Sequence, residues 1–378
     1  MSFDTLTREQ LVRRALAGGV ALSVPGLFPA LARAADPKLK KTLVFSNWPL
    51  YIDVNEKTKR RPTLDQFEKR YGVHVKYIED INDNATFFGK IQGPLSRGQS
   101  TGRDLIVMTD SSGYPALLIQ KGWLEKIDKS ATPNIKNLLS AQQHPPWDPK
   151  REYSLPWQSG MTGIGYNAKL TKPITSVDQL LTDKKLHGKV TLLTEFGDSI
   201  GLVMLANGDD PSHVTKAGFD KAVKTIKKAV DSGQIRQFTG NDYAPLLAKG
   251  DVYACFAWSG DLVQLQADHP GLKWVQPNTG GMIWTDNMLI PKGGNVYTAS
   301  TYMNFYYEPK IAAEVEDYVN YICPVTGADK VLRKTDPKVA NNHLIFPTKK
   351  MLDNAHQIDA KAVNNKSYKQ QFQALIGA

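Results

Sequence analysis

The run Asp104-Leu105-Ile106-Val107-Met108 decides the fold class. One acid is followed by four consecutive apolar residues with no alternation, the pattern of a strand covered on both faces in the middle of a parallel sheet. A helix towards Lys121-Gly122 is expected after it. Upstream, Thr42-Leu43-Val44-Phe45-Ser46 reads as a short buried strand that ends in the turn signal Asn47-Trp48-Pro49. Leu64, Phe67 and Tyr71 recur at i, i+3 and i+7, which predicts an amphipathic helix stopped by Gly72. Val73, Val75 and Tyr77 then alternate as a strand. Downstream the alternation of strand and helix repeats. Val190–Leu193 reads as a strand, Ser199 as the cap of a helix Ile200–Ala206, and Phe219, Val223, Ile226 and Val230 as one face of another helix. Val252–Ala257 and Gly281–Ile290 are strand-like and Asp261–Ala267 is helical. Further helices are expected at Tyr297–Tyr307, Ile311–Tyr321 and Tyr368–Leu375. The construction is α/β, a sheet with crossover helices.

The 378 residues suffice for about two domains, and 41% hydrophobic with 22% charged residues excludes wholesale disorder and collagen-like repeats. No repeat, low-complexity tract or long linker divides the chain. Two lobes without a linker mean that the chain crosses between them more than once and leaves a cleft. Cys255 and Cys323 form no CxxC, which excludes a zinc ribbon, an iron–sulfur ferredoxin and a disulfide-dense module. Two unrelated buried thiols is the reading taken, with a Cys255–Cys323 bridge as the alternative.

Residues 1–34 are read as a removed export signal. Arg13-Arg14 precedes an apolar stretch from Ala15 to Ala32, broken by Gly18, Gly19 and Pro25 and closed by Ala32-Arg33-Ala34. The paired arginines point to twin-arginine export. An ordinary secretory signal is the alternative, because Ala15-Leu16-Ala17 stands where Phe-Leu-Lys is expected. No cysteine near the cleavage point offers a lipid anchor, so the expected location is the periplasm. No apolar run of about 20 residues interrupts the body, so no membrane span is expected there. The leader holds four arginines against two acids, and its removal lowers the net charge from +10 to +8. Lys and Arg are mixed with Asp and Glu throughout, which fits a solvated surface rather than a nucleic-acid-binding face.

The familiar catalytic motifs are missing. There is no G-x-S-x-G elbow, P-loop, HExxH or G-x-G-x-x-G after a strand, and the seven histidines are scattered without metal-ligand spacing. Neither a cofactor nor a metal is expected. What remains is a set of aromatic residues beside acids at strand ends. Trp48 and Tyr51 follow the first strand, and Trp258 ends the strand from Val252 with Asp261 three residues on. Trp284 and Asp286 are two apart in a strand, so both leave the same face. Glu195 and Asp198 are three apart at a helix start. Ring faces attract cations by about 0.5–2 kcal/mol, and a carboxylate beside them accepts charge-assisted hydrogen bonds from ammonium groups. Such walls suit an extended molecule with amines at its ends. Singly, a strand Trp is core and an acid at a helix start serves the dipole; the Trp284–Asp286 pair is the strongest, because a carboxylate buried beside an indole needs a partner.

At these residues the sequence resembles the polyamine-binding (spermidine/putrescine) periplasmic proteins of ABC importers. The resemblance rests on Asn47-Trp48-Pro49-Leu50-Tyr51-Ile52, Asp104-Leu105-Ile106-Val107, Gly122-Trp123-Leu124-Glu125-Lys126-Ile127-Asp128 and Tyr153-Ser154-Leu155-Pro156-Trp157. It continues through Gly163-Ile164-Gly165-Tyr166-Asn167, Leu192-Leu193-Thr194-Glu195, Phe256-Ala257-Trp258-Ser259-Gly260 and Gly280-Gly281-Met282-Ile283-Trp284-Thr285-Asp286. It implies a two-lobed type II binding-protein fold that closes on its ligand, with crossings near Met161, near Ile283 and after Gly327. Lobe 1 would comprise residues 35–161 and 284–329, and lobe 2 residues 162–283 and 330–378.

The resemblance also implies the site: an aromatic box of Trp48, Tyr51, Trp258 and Trp284, with Asp286 holding an amine. Tyr321, Thr109 and Gln357 are further implied contacts. Glu195 and Asp198 match a second acidic pair with an apparent shift of one residue, so either could face the ligand. The implied partners are a small polyamine and the permease subunits of an importer, and the implied state is a monomer. Two rival classes stand beside this reading. One is a same-fold receptor for a quaternary ammonium osmolyte, an amino acid or ferric iron. The other is an exported hydrolase using Glu195 and Asp198 as acid and base.

Overall fold

The apolar run is strand β3 (Leu105–Thr109), buried at every residue, in a computed structural model that describes residues 39–377. The export signal read over residues 1–34 lies outside the described residues. On one side β3 pairs in parallel with β1 (Thr42–Asn47), which pairs in parallel with β2 (His74–Glu79). On the other side it pairs antiparallel with β9 (Gly281–Leu289), which matches Thr109 to Asp286. β9 in turn runs antiparallel to β4 (Ser154–Asn167), fourteen residues long and buried throughout.

The second half of the sheet is built from β5 (Val190–Leu193), β6 (Ile235–Thr239) and β7 (Ala254–Trp258), with β8 (Leu272–Val275) and β10 (Ala355–His356) as short additions. The order is β2-β1-β3-β9-β4-β7-β5-β6, with β8 beside β4 and β10 beside β9. β4 changes partner along its length. Ser154 to Thr162 face β9, whereas Thr162 to Tyr166 face β7. One long strand therefore ties both α/β halves together.

Local chemistry fixes the helices around this sheet. Pro62–Tyr71 starts on a proline, whose missing N–H is no loss in a first turn, and stops at Gly72, left-handed at φ +67°. Lys216–Asp231 is capped by the Thr215 hydroxyl and buries Phe219, Ala222, Ile226 and Ala229. The helices Val296–Tyr306, Pro309–Val319 and Lys366–Ile376 fall where the periodicity places them. No helix among the described residues is long and apolar enough to cross a membrane.

One local expectation is corrected, two elements were unforeseen and one reading holds. The helix expected from Ile200 begins at Phe196, and Ser199 is not its cap; its hydroxyl donates to the Leu193 carbonyl from inside the first turn. β4 and the helix Asn84–Ser96 had no strand or helix expectation at all. Cys255 and Cys323 are both buried and both free, so the bridge is absent and the two-thiol reading holds.

Candidate ligand-binding cleft

The ends of β3, β7 and β9, the turn after β1 and the start of the helix Phe196–Ala206 converge on one cleft. It encloses about 420 Å3, counting the space at its mouth. Its walls are aromatic: Trp48 and Tyr51 from the turn, Trp258 from the end of β7, Trp284 from β9, and Tyr321 from the segment after the helix Pro309–Val319. Ring centroids lie 6.4 Å apart for Trp48–Trp258, 6.3 Å for Trp258–Trp284, 5.7 Å for Trp284–Tyr321 and 5.1 Å for Tyr321–Tyr51. Most of these contacts are edge-on, the arrangement the ring quadrupoles favour. Two glycines make room for the box. A Cβ at Gly160 on β4 would overlap the Trp284 ring, and one at Gly260 would overlap Tyr321.

Into this ring of aromatics project four carboxylates: Glu195, Asp198, Asp261 and Asp286. Among the described residues no lysine, arginine or histidine lines the cleft. Asp286, paired in register with Thr109, accepts from the Thr109 hydroxyl at 2.6 Å and from the Tyr51 hydroxyl at 2.7 Å. Asp198 accepts from the Trp258 indole N–H at 2.9 Å and the Thr162 hydroxyl at 2.8 Å. Thr162 in turn accepts from the Trp284 indole at 2.9 Å, so both indoles are anchored on one side of the site. Asp261 accepts from the Tyr321 and Tyr243 hydroxyls, each at 2.7 Å. Glu195, at the helix N-cap position without capping it, accepts from the Asn84 backbone at 3.1 Å and its side-chain amide at 3.0 Å.

Burial dominates the acidity of all four. It raises Asp286 to about 7 against the pull of the Thr109 and Tyr51 hydrogen bonds. It raises Glu195 to about 7, with the charge of Asp198 adding to the effect. Asp198 rises to about 6 and Asp261 is also raised. Desolvation penalises the charged form, and a few neutral donors do not offset it. The described lining residues supply no positive charge to offset these acids.

Nine of the ten residues expected at the site line this cleft: Trp48, Tyr51, Thr109, Glu195, Asp198, Trp258, Trp284, Asp286 and Tyr321. Glu195 and Asp198 both face it. Gln357 does not; it is exposed, next to the two-residue strand β10. The sequence reading missed Asn84, which donates to Thr109 and Glu195 and so links two acidic ends of the cleft. It also left Asp261 as a neighbour of Trp258 without a place in the site. The signal for Asp261 was its helical offset from Trp258; for Asn84, flanked by Asn82 and Asp83 in a polar run, there was none.

The chain is similar to several known proteins. The chain is 29% identical over 339 residues to the spermidine/putrescine-binding periplasmic protein of Salmonella typhimurium, covering 88% of each chain. A spermidine/putrescine ABC transporter substrate-binding protein from Streptococcus pneumoniae shares the fold at a TM-score of 0.70 and 21% identity, over 89% of this chain and 98% of that one. A protein from A. tumefaciens solved with agropinic acid shares it at a TM-score of 0.71 and 18% identity, over 90% and 100%. The fold alone is thus common to proteins with different ligands, and the residues of the cleft must carry the distinction. The family described as bacterial extracellular solute-binding protein matches residues 63–347, three-quarters of the sequence, and the chain belongs to that family.

Proposed function

We propose that this protein captures a polyamine of the putrescine and spermidine class between its lobes and delivers it unchanged to the permease of an ABC importer. The observation that carries the reading is the lining of the cleft: four carboxylates, Asp198 and Asp286 buried and Glu195 and Asp261 partly so, inside an aromatic box with no cationic side chain among the described residues. Ammonium groups satisfy the carboxylates by charge-assisted hydrogen bonds, and the methylenes between them lie against ring faces. The relatives' functions point the same way. An amino acid fits poorly, because no lining cation among the described residues receives its carboxylate. A quaternary ammonium ion has no N–H for so many acceptors. Ferric iron takes phenolates, yet burial holds the Tyr51 and Tyr321 phenols well above their ordinary range. A hydrolase needs one carboxyl pushed up and its partner left ionised, whereas Glu195 and Asp198 are both pushed up.

The same reading takes residues 1–34 as an export signal of the twin-arginine type and the mature chain as a periplasmic monomer. It divides the lobes at residues 35–161 with 284–329 and 162–283 with 330–378; the change of partner along β4 at Thr162 supports that division. Thermal-shift and calorimetric titration of the mature chain tests the ligand. Putrescine or spermidine should raise the melting temperature and give binding heat, while 4-aminobutyrate and glycine betaine give neither. Binding of the latter two with none of the former would reject the proposal.

A further inference from the structure

A second cavity lies behind the first. It encloses about 720 Å3, including space open to solvent, and shares one residue with the ligand cleft, Glu195. The partition is thin. Asn84 lines the cleft while Asp83 and Ala85 line the chamber, and Ser111 and Ser112 divide in the same way.

The two spaces differ in chemistry. The chamber is walled by Tyr114, Phe196, Phe372 and Ile376; its Asp83 carboxylate is engaged as the cap of the helix Asn84–Ser96, and a cation stands in it, Lys369 from the helix Lys366–Ile376. The Lys369 ammonium sits 4.4 Å from the Tyr114 ring centre and is half-buried. It makes no ion pair or hydrogen bond with any described residue, although it feels the charge of Glu195. A partly desolvated ammonium without an oxygen partner favours an incoming acceptor and repels a second cation.

Resting on the polyamine reading of the cleft, we propose that the chamber accepts the acyl tail of a mono-N-acylated polyamine. Its free ammonium groups lie among the cleft carboxylates, and the chain passes Glu195. Acylation removes one positive charge and adds a carbonyl and an apolar tail. Each change suits the chamber: Lys369 no longer repels that end and donates to its carbonyl, and the tail lies on the rings of Phe196 and Phe372.

The test is calorimetric titration of the mature chain with spermidine and with N1-hexanoylspermidine, which keeps two ammonium groups. The two should bind the unaltered protein within about tenfold of each other. Ile376→Trp, which fills the chamber, should raise the ratio of the hexanoyl to the spermidine dissociation constant at least tenfold. Lys369→Met should raise it at least threefold, since the carbonyl loses its donor and a free amine loses its repulsion. Undiminished spermidine affinity in each variant shows that the cleft is intact, and if Ile376→Trp does not fold, Lys369→Met decides. A ratio unmoved by the substitutions, or a hexanoyl compound bound more than a hundredfold weaker by the unaltered protein, overturns the chamber alone. Failure of spermidine itself to bind overturns the polyamine reading beneath it.

Discussion

Two aromatic clusters sit in this molecule, and they are built from the same residue types. One centres on Trp157, whose ring lies 4.3 Å from Tyr306, 5.8 Å from Phe45 and 6.5 Å from Tyr302, with Phe67 packed 5.1 Å from Tyr302. The other is the cleft box. Both are buried, and both contain indoles and phenols whose polar atoms need partners. In the first, those partners are main-chain carbonyls. The Trp157 indole donates to Tyr51, the Tyr306 hydroxyl to Trp157 and the Tyr307 hydroxyl to Pro156. In the second, the corresponding donors point at Asp198, Asp261 and Asp286. A carbonyl is satisfied by such a donor; a buried carboxylate is left with a charge that a proton or a bound cation must offset. Rings therefore do not mark the site. What their polar atoms face does.

Substitution in the two clusters should separate stability from affinity. Phe67, fully buried among Tyr71, Tyr302 and Phe305, belongs to the first. Phe67→Ala should lower unfolding free energy by about 3–5 kcal/mol, the transfer loss plus the cavity left behind. Its polyamine affinity should stay within about twofold, because no atom of the cleft moves. Chemical denaturation and calorimetry on one preparation check both halves; a large affinity loss would mean that the clusters are coupled.

Asp286→Asn is the reverse case. The amide still accepts from Thr109 or Tyr51, so folding stability should change by about 1 kcal/mol or less. Affinity should fall by about 2–5 kcal/mol, as when a buried charge loses its counter-charge in a complex. A variant that binds as tightly as the parent would remove Asp286 from the ligand's contacts.

Most strands were legible because burial writes itself into period and apolarity; Val190–Leu193 and Leu105–Thr109 stand out on that ground alone. β4 did not, although it is the central strand that both halves share. Its fourteen residues include Pro156, Gly160, Gly163 and Gly165, which together read as loop. The glycines are there for other reasons. Gly160 makes room for Trp284, and a Cβ at Gly163 would strike the Val275 carbonyl. Gly89, Gly93 and Pro94 hid the helix Asn84–Ser96 in the same way. The site was readable where chemistry is unusual for its place, as with a Trp and an Asp on one strand face. It was not readable for Asn84, whose role depends on the meeting of β3 with the helix Phe196–Ala206, nor for Gln357, where no periodic pattern fixes the register.

A smaller effect follows from acidity. Asp286 and Glu195, held near 7 by burial, are about half protonated at neutral pH, and only their ionised forms pair with ammonium. Affinity should rise with pH through this range and level off until the guest amines begin to lose their own protons near 10. Between pH 7 and pH 8 the gain should be about threefold, and about twofold in Asp286→Asn, where one titrating group is gone. The free protein should respond with the opposite sign. Its folded state holds these protons more tightly than the unfolded chain, whose carboxyls titrate near 4. The resulting contribution to stability is full below about pH 4 and lost as pH rises through 6 to 7. Polyamine should reverse that slope by keeping the carboxylates ionised. Melting temperatures across pH 4–8 with and without spermidine, in the parent and in Asp286→Asn, measure the reversal. Parallel curves in all four series would mean that the cleft acids do not meet the guest's charge, and the contrast between the two aromatic clusters would lose its physical basis.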